Sequence, residues 1–286
     1  MKRFHDFGVE KAKWITFVQS DFFPNNLKAA KAKYEPLIRK FGELLQTAKT
    51  PQELYLLIMK EPMSKRIQLL RIFRKYVSPD TSVEMLKRSG KASELLTEFG
   101  DRFRSIELVR ERFDSRPQLD EALIALLHEY EDRGKKGYQL TSIFFEWFRR
   151  KYGDRFILEG PEGAGKDIEL NGVFRDYPTS RPVDFIIQNP SNLPLVIGFA
   201  RYDSDRGGAQ EDDRTGGYGN AVREILRYSD KKGLNLKILF VNEGPGLLLG
   251  SMWRDYASLE EISEGRVMVV TLKMLDERLT EEWIKE

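Results

Sequence analysis

Pro182-Val183-Asp184-Phe185-Ile186-Ile187, a Pro/Asn turn from Asn189 to Pro194, and Leu195-Val196-Ile197-Gly198-Phe199-Ala200 read together as two adjacent strands. The second is apolar throughout, the pattern of a strand buried on both faces. After it, Asp203 to Gly217 is polar and spotted with glycine, which predicts a loop, and helical periodicity is expected from about Asn220 to Tyr228. One carboxylate, Asp184, lies just inside the first strand, and one cation, Arg201, stands where the second ends.

Working outward, Leu236 to Val241 forms a further apolar run after the turn at Lys231-Lys232-Gly233, and Gly244-Pro245-Gly246 stops it. A short helix is expected around Leu259 to Ile262, and Val267 to Leu272 reads as a last strand. Upstream, strand signals at Phe156 to Leu158 and Ile168 to Phe174 flank Gly160-Pro161-Glu162-Gly163-Ala164-Gly165-Lys166-Asp167, which reads as a hairpin turn. The same loop matches the Gly-x4-Gly-Lys part of a phosphate-binding loop, and nucleotide hydrolysis through Lys166 is a competing reading. Against it, Asp167 replaces the hydroxyl residue that would hold magnesium, and Ile168-Glu169-Leu170 continues as strand where the mechanism needs a helix N-terminus.

From Leu27 to Tyr152 the periodicity is helical almost throughout. Thr50-Pro51-Gln52-Glu53 combines an N-cap threonine, proline at the first helical position and a glutamate three residues after the cap. Leu119, Leu123, Leu126, Leu127 and Tyr130 are expected on one buried helical stripe, and Leu140 to Tyr152 is a bulky helix crowded with Phe144, Phe145, Trp147 and Phe148. Arg133-Gly134-Lys135-Lys136-Gly137 is expected to break the helical run. This divides the chain into a helical region over 1–135 and a sheet region over 136–286. The fold class is α/β (α+β): a mixed five-stranded sheet flanked by helices, with an N-terminal all-helical region.

Composition narrows the chemistry. The chain of 286 residues has no cysteine, which excludes disulfides, thiolate zinc sites and thiol catalysis, and its two histidines, His5 and His128, argue against a histidine-rich metal centre. No apolar stretch approaches the roughly 18 residues that span a bilayer, and the charged N-terminus lacks the apolar core of a signal peptide, so a cytoplasmic protein is expected. The formal charge of +2 conceals an asymmetry, because residues 1–76 carry 16 Lys and Arg against 7 Asp and Glu. A positive helical segment of this kind can follow a phosphate backbone.

The Asp184 to Arg201 layout resembles the catalytic core of the PD-(D/E)XK nucleases, the superfamily that holds most type II restriction endonucleases. Pro182-Val183-Asp184 stands where that family has Pro-Asp, and Phe199-Ala200-Arg201 falls at its Glu-X-Lys triplet. Downstream, Gly219-Asn220-Ala221-Val222-Arg223-Glu224 is similar to the Gly-Asn-Ala-Ile-Glu-Arg recognition stretch of endonucleases that cut GAATTC, with the last two residues exchanged. The resemblance implies Mg2+-dependent hydrolysis of double-stranded DNA, with Asp184 as metal ligand and Arg201 as the cation beside the scissile phosphate. Magnesium takes one or two carboxylates plus water and phosphate oxygens. Phe199 cannot serve, so a second ligand is sought among Asp203, Asp205, Glu211 and Glu146, the last on the helix that precedes the sheet. Arg201 stabilises charge but does not deprotonate, and so is no base.

The segment between Arg201 and Asn220 is the candidate for base recognition. Arg206, Gln210, Arg214, Asn220 and Arg223 are side chains suited to bidentate contacts with guanine or adenine, and Glu211, Asp212 and Asp213 can accept from cytosine or hold the arginines. The expected protein is a type II restriction endonuclease, a homodimer on a two-fold site. The alternative is a sequence-specific DNA-binding protein or subunit of the same fold whose degenerate site does not cleave.

Overall fold

The computed structural model describes residues 2–17, 24–116, 121–161, 167–203, 209–263 and 265–286, with side chains at all of these except 129–136 and 209–215. The chain divides into two compact units, one of Met1–Gln19 with Gly134–Glu286 and one of Ser20–Arg133. The first segment of the chain therefore belongs with the sheet and not with the helices that come after it. No helix among the described residues is long and apolar enough to cross a membrane.

The helical unit contains α1 (Asn25–Thr47), α2 (Pro51–Met59), α3 (Met63–Tyr76), α4 (Val83–Leu86), α5 (Ala92–Phe99), α6 (Ile106–Asp114) and the start of α7 (Glu121–Tyr152). Their apolar faces close over one core that includes Tyr34, Phe41, Tyr55, Phe73 and Phe113. Thr50 caps α2 by accepting from the Glu53 backbone N–H at 3.1 Å, while the Glu53 carboxylate reaches back to the Lys49 N–H at 2.7 Å. The helix start read from the sequence thus forms, with the return bond displaced by one residue. On α7, Leu123 and Leu127 are buried as expected, but Leu126 is exposed and Ile124 takes the inward place. Leu119 lies outside the described residues, as does the side chain of Tyr130.

The expected break at Arg133 to Gly137 does not occur, since α7 runs unbroken from Glu121 to Tyr152. A glycine costs a helix about 1 kcal/mol relative to alanine, too little for two of them to end a helix with apolar packing on each side. The division between the two units nevertheless falls there, at Arg133 and Gly134.

The sheet unit is of the α+β class. Its strands are β1 (Ile157–Glu159), β2 (Ile168–Glu169), β3 (Pro182–Val183), β4 (Phe185–Gln188), β5 (Pro194–Tyr202), β6 (Lys237–Glu243) and β7 (Val267–Val270). Five of them form one mixed sheet in the order β1-β4-β5-β6-β7, and β2 pairs with β3 in a small separate ladder. The pairs β1/β4 and β4/β5 are antiparallel, whereas β5/β6 and β6/β7 are parallel. A parallel neighbour requires a crossover, supplied by α9 (Ala209–Lys231) between β5 and β6 and by α10 (Met252–Ile262) between β6 and β7. All seven residues of β6 are buried: Ile238 to Val241 form the apolar run of a central strand covered on both faces, and Lys237, Asn242 and Glu243 at its ends are buried with them.

Two expectations fail near β2. The strand expected over Ile168 to Phe174 stops at Glu169, and Leu170–Val173 forms a single helical turn, α8. Nor do β1 and β2 make a hairpin, because β1 pairs with β4 and β2 with β3. Local alternation predicted both strands but carried no information about which partner each would find. Gly163, Gly165 and Lys166 of the phosphate-loop match lie outside the described residues, and the chain continues as strand at Ile168–Glu169.

Side chains alternate across the sheet. On one face Phe185 meets Phe144 and Phe145 of α7, with ring centroids 4.9 and 6.0 Å apart. On the other, Phe199 stacks on Phe240 at 5.0 Å, and Tyr218 of α9 packs against both. Phe185 faces Gly198 across the antiparallel pair, and a Cβ at Gly198 would lie 2.0 Å from its ring. Gly198→Ala should therefore destabilise the chain by at least the roughly 1–3 kcal/mol of an overpacked core, read as a lower midpoint in chemical denaturation.

The N-terminal 3-10 segment Phe4–Trp14 is fastened to this unit by buried carboxylates. Glu260 accepts from the Phe4 N–H at 2.9 Å and the Val269 N–H at 2.7 Å, and pairs with the buried Arg278 at 2.8 Å. Glu243 accepts from the N–H groups of Thr16 at 2.7 Å, Leu272 at 2.9 Å and Gly244 at 3.2 Å. Phe4 stacks on Trp253 with centroids 4.3 Å apart. Beyond β7 lie two short helices, α11 (Leu275–Arg278) and α12 (Glu281–Lys285).

Candidate active site

Asp184 sits at the break between β3 and β4, where its backbone N–H donates to Gly198 O at 3.0 Å and its carboxylate accepts from the Ala200 N–H at 2.8 Å. This holds the side chain over the neighbouring strand. Burial pushes its pKa up to about 6; the Ala200 N–H and Arg201 pull the other way, and the negative charge of Asp167 adds to the rise. A carboxyl that is costly to ionise, placed among charged neighbours, marks a candidate functional group.

Arg201 occupies the next-to-last position of β5, on the same face as Phe199 and opposite Asn242 of β6. Its Nε donates to Asp203 Oδ1 at 2.7 Å, and the other Asp203 oxygen accepts from Tyr256 Oη at 3.2 Å. Asp203 is buried, while the Arg201 side chain stays 29% exposed, so the pair is internal at its acid end and open at its base end. Burial works against the Arg201 cation, but Tyr218 and Asp203 outweigh it and hold its pKa above the ordinary value. Burial likewise raises Tyr218 and Tyr256, keeping both phenols protonated.

The turn after β6 completes the arrangement. Asp203 N–H donates to Glu243 O and Asp203 O accepts from the Gly246 N–H, each at 2.8 Å. Gly244 adopts φ +106°, and a Cβ there would lie 2.3 Å from Asp203 O. Only glycine meets both conditions, so the Gly244-Pro245-Gly246 punctuation fixes the backbone of the carboxylate that orients Arg201.

Asn242 is wholly buried beside this pair, and neither atom of its amide has a hydrogen-bond partner among the described residues. A buried amide left unpaired costs about 1–3 kcal/mol, which makes Asn242, at the carboxyl end of a parallel strand, a candidate group of the site. Sequence reasoning missed Asn242, Tyr218 and Tyr256. A polar residue ending the apolar run of β6 was the available signal for Asn242, since α/β sheets bind at the carboxyl ends of parallel strands. Nothing local distinguishes Tyr218 or Tyr256 from other helical aromatics.

The other candidate residues scatter. Phe199 is a core residue, buried in the stack with Phe240 and Tyr218. Asp203 does not stand as a free ligand beside Asp184, because both its oxygens are engaged by Arg201 and Tyr256. Glu146 is exposed on α7, between the buried Phe145 and Phe148. Asp205 and Arg206 lie outside the described residues, as do the side chains of Gln210, Glu211, Asp212, Asp213 and Arg214. The expected loop is nonetheless helical from Ala209, eleven residues before Asn220, so these five positions belong to the first turns of α9. The polar, glycine-spotted composition of Asp203 to Gly217 had suggested a loop, and tertiary packing of the crossover helix overrides that preference.

In the Gly219 to Glu224 stretch, Ala221 and Val222 enter the core, and Asn220 and Arg223 are exposed. Glu224 is tied to Arg181 and accepts from Thr179 Oγ1 at 2.7 Å. Its bond from Arg181, with help from Thr179 and Tyr177, draws its pKa down to about 2. Glu224 is thus a structural carboxylate, and two side chains of the motif, Asn220 and Arg223, are presented outward.

No group of three or more His, Cys, Asp or Glu able to hold a metal ion occurs among the described residues. Among the described residues, Asp167 is the acidic residue whose negative charge adds to the rise of the Asp184 pKa. Two carboxylates with water and phosphate oxygens suffice for magnesium. No protein-family model matches the chain, and no curated protein matches its sequence.

Proposed function

We propose that the chain is a Mg2+-dependent, sequence-specific endonuclease of duplex DNA, of the restriction type, working as a cytoplasmic homodimer. The observation that carries this reading is the partly buried Asp184 carboxyl, raised to about 6, held next to an oriented and partly open Arg201 at the carboxyl end of β5. The order helix, antiparallel β1-β4-β5 meander, crossover helix and parallel β6 supports it, since the Pro-Val-Asp and Phe-Ala-Arg segments come to lie side by side.

Asp184, assisted by Asp167, would hold the metal, which when bound supplies a Lewis acid and a water of lowered pKa. Arg201 binds a non-bridging oxygen of the scissile phosphate and offsets the charge that grows on it. Asp203 and Tyr218 fix the guanidinium in advance, so its orientation costs nothing at the moment of reaction. Arg201 does not move a proton. Asn220 and Arg223 are the described recognition side chains, on the solvent face of α9.

Digestion of a long, sequence-diverse DNA tests the assignment. Discrete fragments with Mg2+ and intact DNA with EDTA are expected. Intact DNA under both conditions, with a salt-dependent mobility shift retained, would establish instead a DNA-binding protein whose site does not cleave.

A further inference from the structure

We propose that the helical unit carries a second site, a basic pocket built from α3, α4 and the start of α7, that grips the phosphodiester backbone of duplex DNA. Its cavity of about 470 Å³ is lined by Arg71, Arg74, Lys75 and Lys87, with Ile67 and Leu127 among its apolar residues. Ile67, Arg71, Arg74 and Lys75 recur at helical spacing, so one face of α3 delivers three cations to one place. The 14 residues of α3 include no Asp or Glu, and residues 63–88 carry seven Lys and Arg against Asp80 and Glu84 alone.

Like charges three and four residues apart on a helix repel, and α3 itself offers no acidic residue to offset them. Arg74 Nε donates to Pro79 O at 3.0 Å, and Arg71 Nη1 donates to Gln68 Oε1 at 3.1 Å among its contacts. The acidic residue of the lining, Glu84, is bonded to Lys87 at 2.6 Å. Cations of one sign against apolar walls focus their field into the cavity. Forked guanidiniums beside ammonium groups are the chemistry that recognises phosphate oxygens. Choosing DNA as the source of that phosphate rests on the function proposed above, whereas the phosphate chemistry stands without it.

The test uses the full chain in EDTA, so that cleavage plays no part, and reads binding to a short labelled duplex by anisotropy across a salt series. Three forms are compared: the natural chain, Arg71→Gln/Arg74→Gln/Lys75→Gln, and the charge-conserving Arg71→Lys/Arg74→Lys/Lys75→Arg. Each phosphate contact contributes about 0.9 to the slope of log affinity against log salt. The glutamine form should lose roughly 2 to 3 of that slope and about tenfold or more in affinity, equally for any duplex sequence, while the conserving form keeps both. Lys75→Gln alone, at an exposed position, should lose about 0.9 and guards against misfolding of the triple form. An unchanged slope in the glutamine forms overturns the proposal. So does loss of tripolyphosphate binding with DNA binding unaffected, which would assign the pocket to a small phosphate ligand. Loss of slope in a chain that never cleaves DNA upholds the pocket and sinks the nuclease reading, so the two fail separately.

Discussion

Asp184→Asn is expected to abolish DNA cleavage and at the same time to make the protein more stable at neutral pH. Asparagine keeps an oxygen to accept from the Ala200 N–H, the bond that seats the side chain at 2.8 Å, but it is a neutral and weak metal ligand. Metal ions contribute several kcal/mol to transition-state charge stabilisation, and each 1.36 kcal/mol is about tenfold in rate, so the loss should be roughly a thousandfold or more. The stability gain comes from linkage. The folded-state pKa of Asp184 is raised, to about 6, so folding favours the protonated form. That contribution is fully present below the ordinary aspartate value and is lost as pH rises through about 6.

Above that pH the natural protein carries an ionised carboxylate in a poorly solvated place, at a cost of up to about 3 kcal/mol for a pKa about two above the ordinary value. Asparagine removes the cost. Denaturation in EDTA should show Asp184→Asn more stable than the natural chain at about pH 8 and equal to it near pH 4. Active-site groups that destabilise the fold they sit in are a recognised trade between stability and activity. Equal stability at both pH values would remove Asp184 from the set of strained functional carboxyls, and cleavage that survives the substitution would end its role as a ligand.

Arg201→Ala should have the second large effect, and on folding as well as on cleavage. It leaves the Asp203 carboxylate, 3% exposed, with the Tyr256 hydroxyl as its remaining side-chain partner. Removing one member of a buried ion pair costs about 3–5 kcal/mol, and the partial exposure of Arg201 places this case at the lower end. Arg201→Lys keeps the charge but loses the fork that joins Asp203 to the phosphate, so it should recover most of the stability and little of the rate. The comparison separates the two roles. If alanine and lysine lose stability and activity in the same proportion, Arg201 acts on the reaction only through the fold. Asp203→Asn, which releases the guanidinium without removing it, should lower the rate while leaving duplex affinity in EDTA unchanged.

The order of strands and helices was largely legible in the chain itself, because hydrophobic periodicity depends on neighbours within a few residues. Thr50-Pro51-Gln52-Glu53 started its helix, and the apolar runs at Leu195 and Leu236 became β5 and β6. The two failures at the glycines have one cause. Arg133 to Gly137 and Gly216 to Gly219 both contain glycine at about 1 kcal/mol each, and both lie inside long helices that bury residues elsewhere along their length, such as Phe144 and Val222. A propensity of that size is overridden by burial that no local window contains.

The sequence by itself determined the class of fold and the pairing of the segments that carry Asp184 and Arg201, although Asp184 falls at the break between β3 and β4 and not inside a strand; strand alternation and the short turn at Asn189 to Pro194 admit one antiparallel register with the apolar side chains inward. Only the tertiary structure decided the surroundings of those residues. It engaged Asp203 with Arg201 and Tyr256, buried Phe199 in an aromatic stack, left Glu146 in solvent and set Asn242, its amide unpartnered among the described residues, beside the pair. Burial and charge pairing depend on residues distant in the chain and brought together by the crossover helices. They decide which carboxylate is paired within the protein, as Asp203 is, and which is costly to ionise, as Asp184 is.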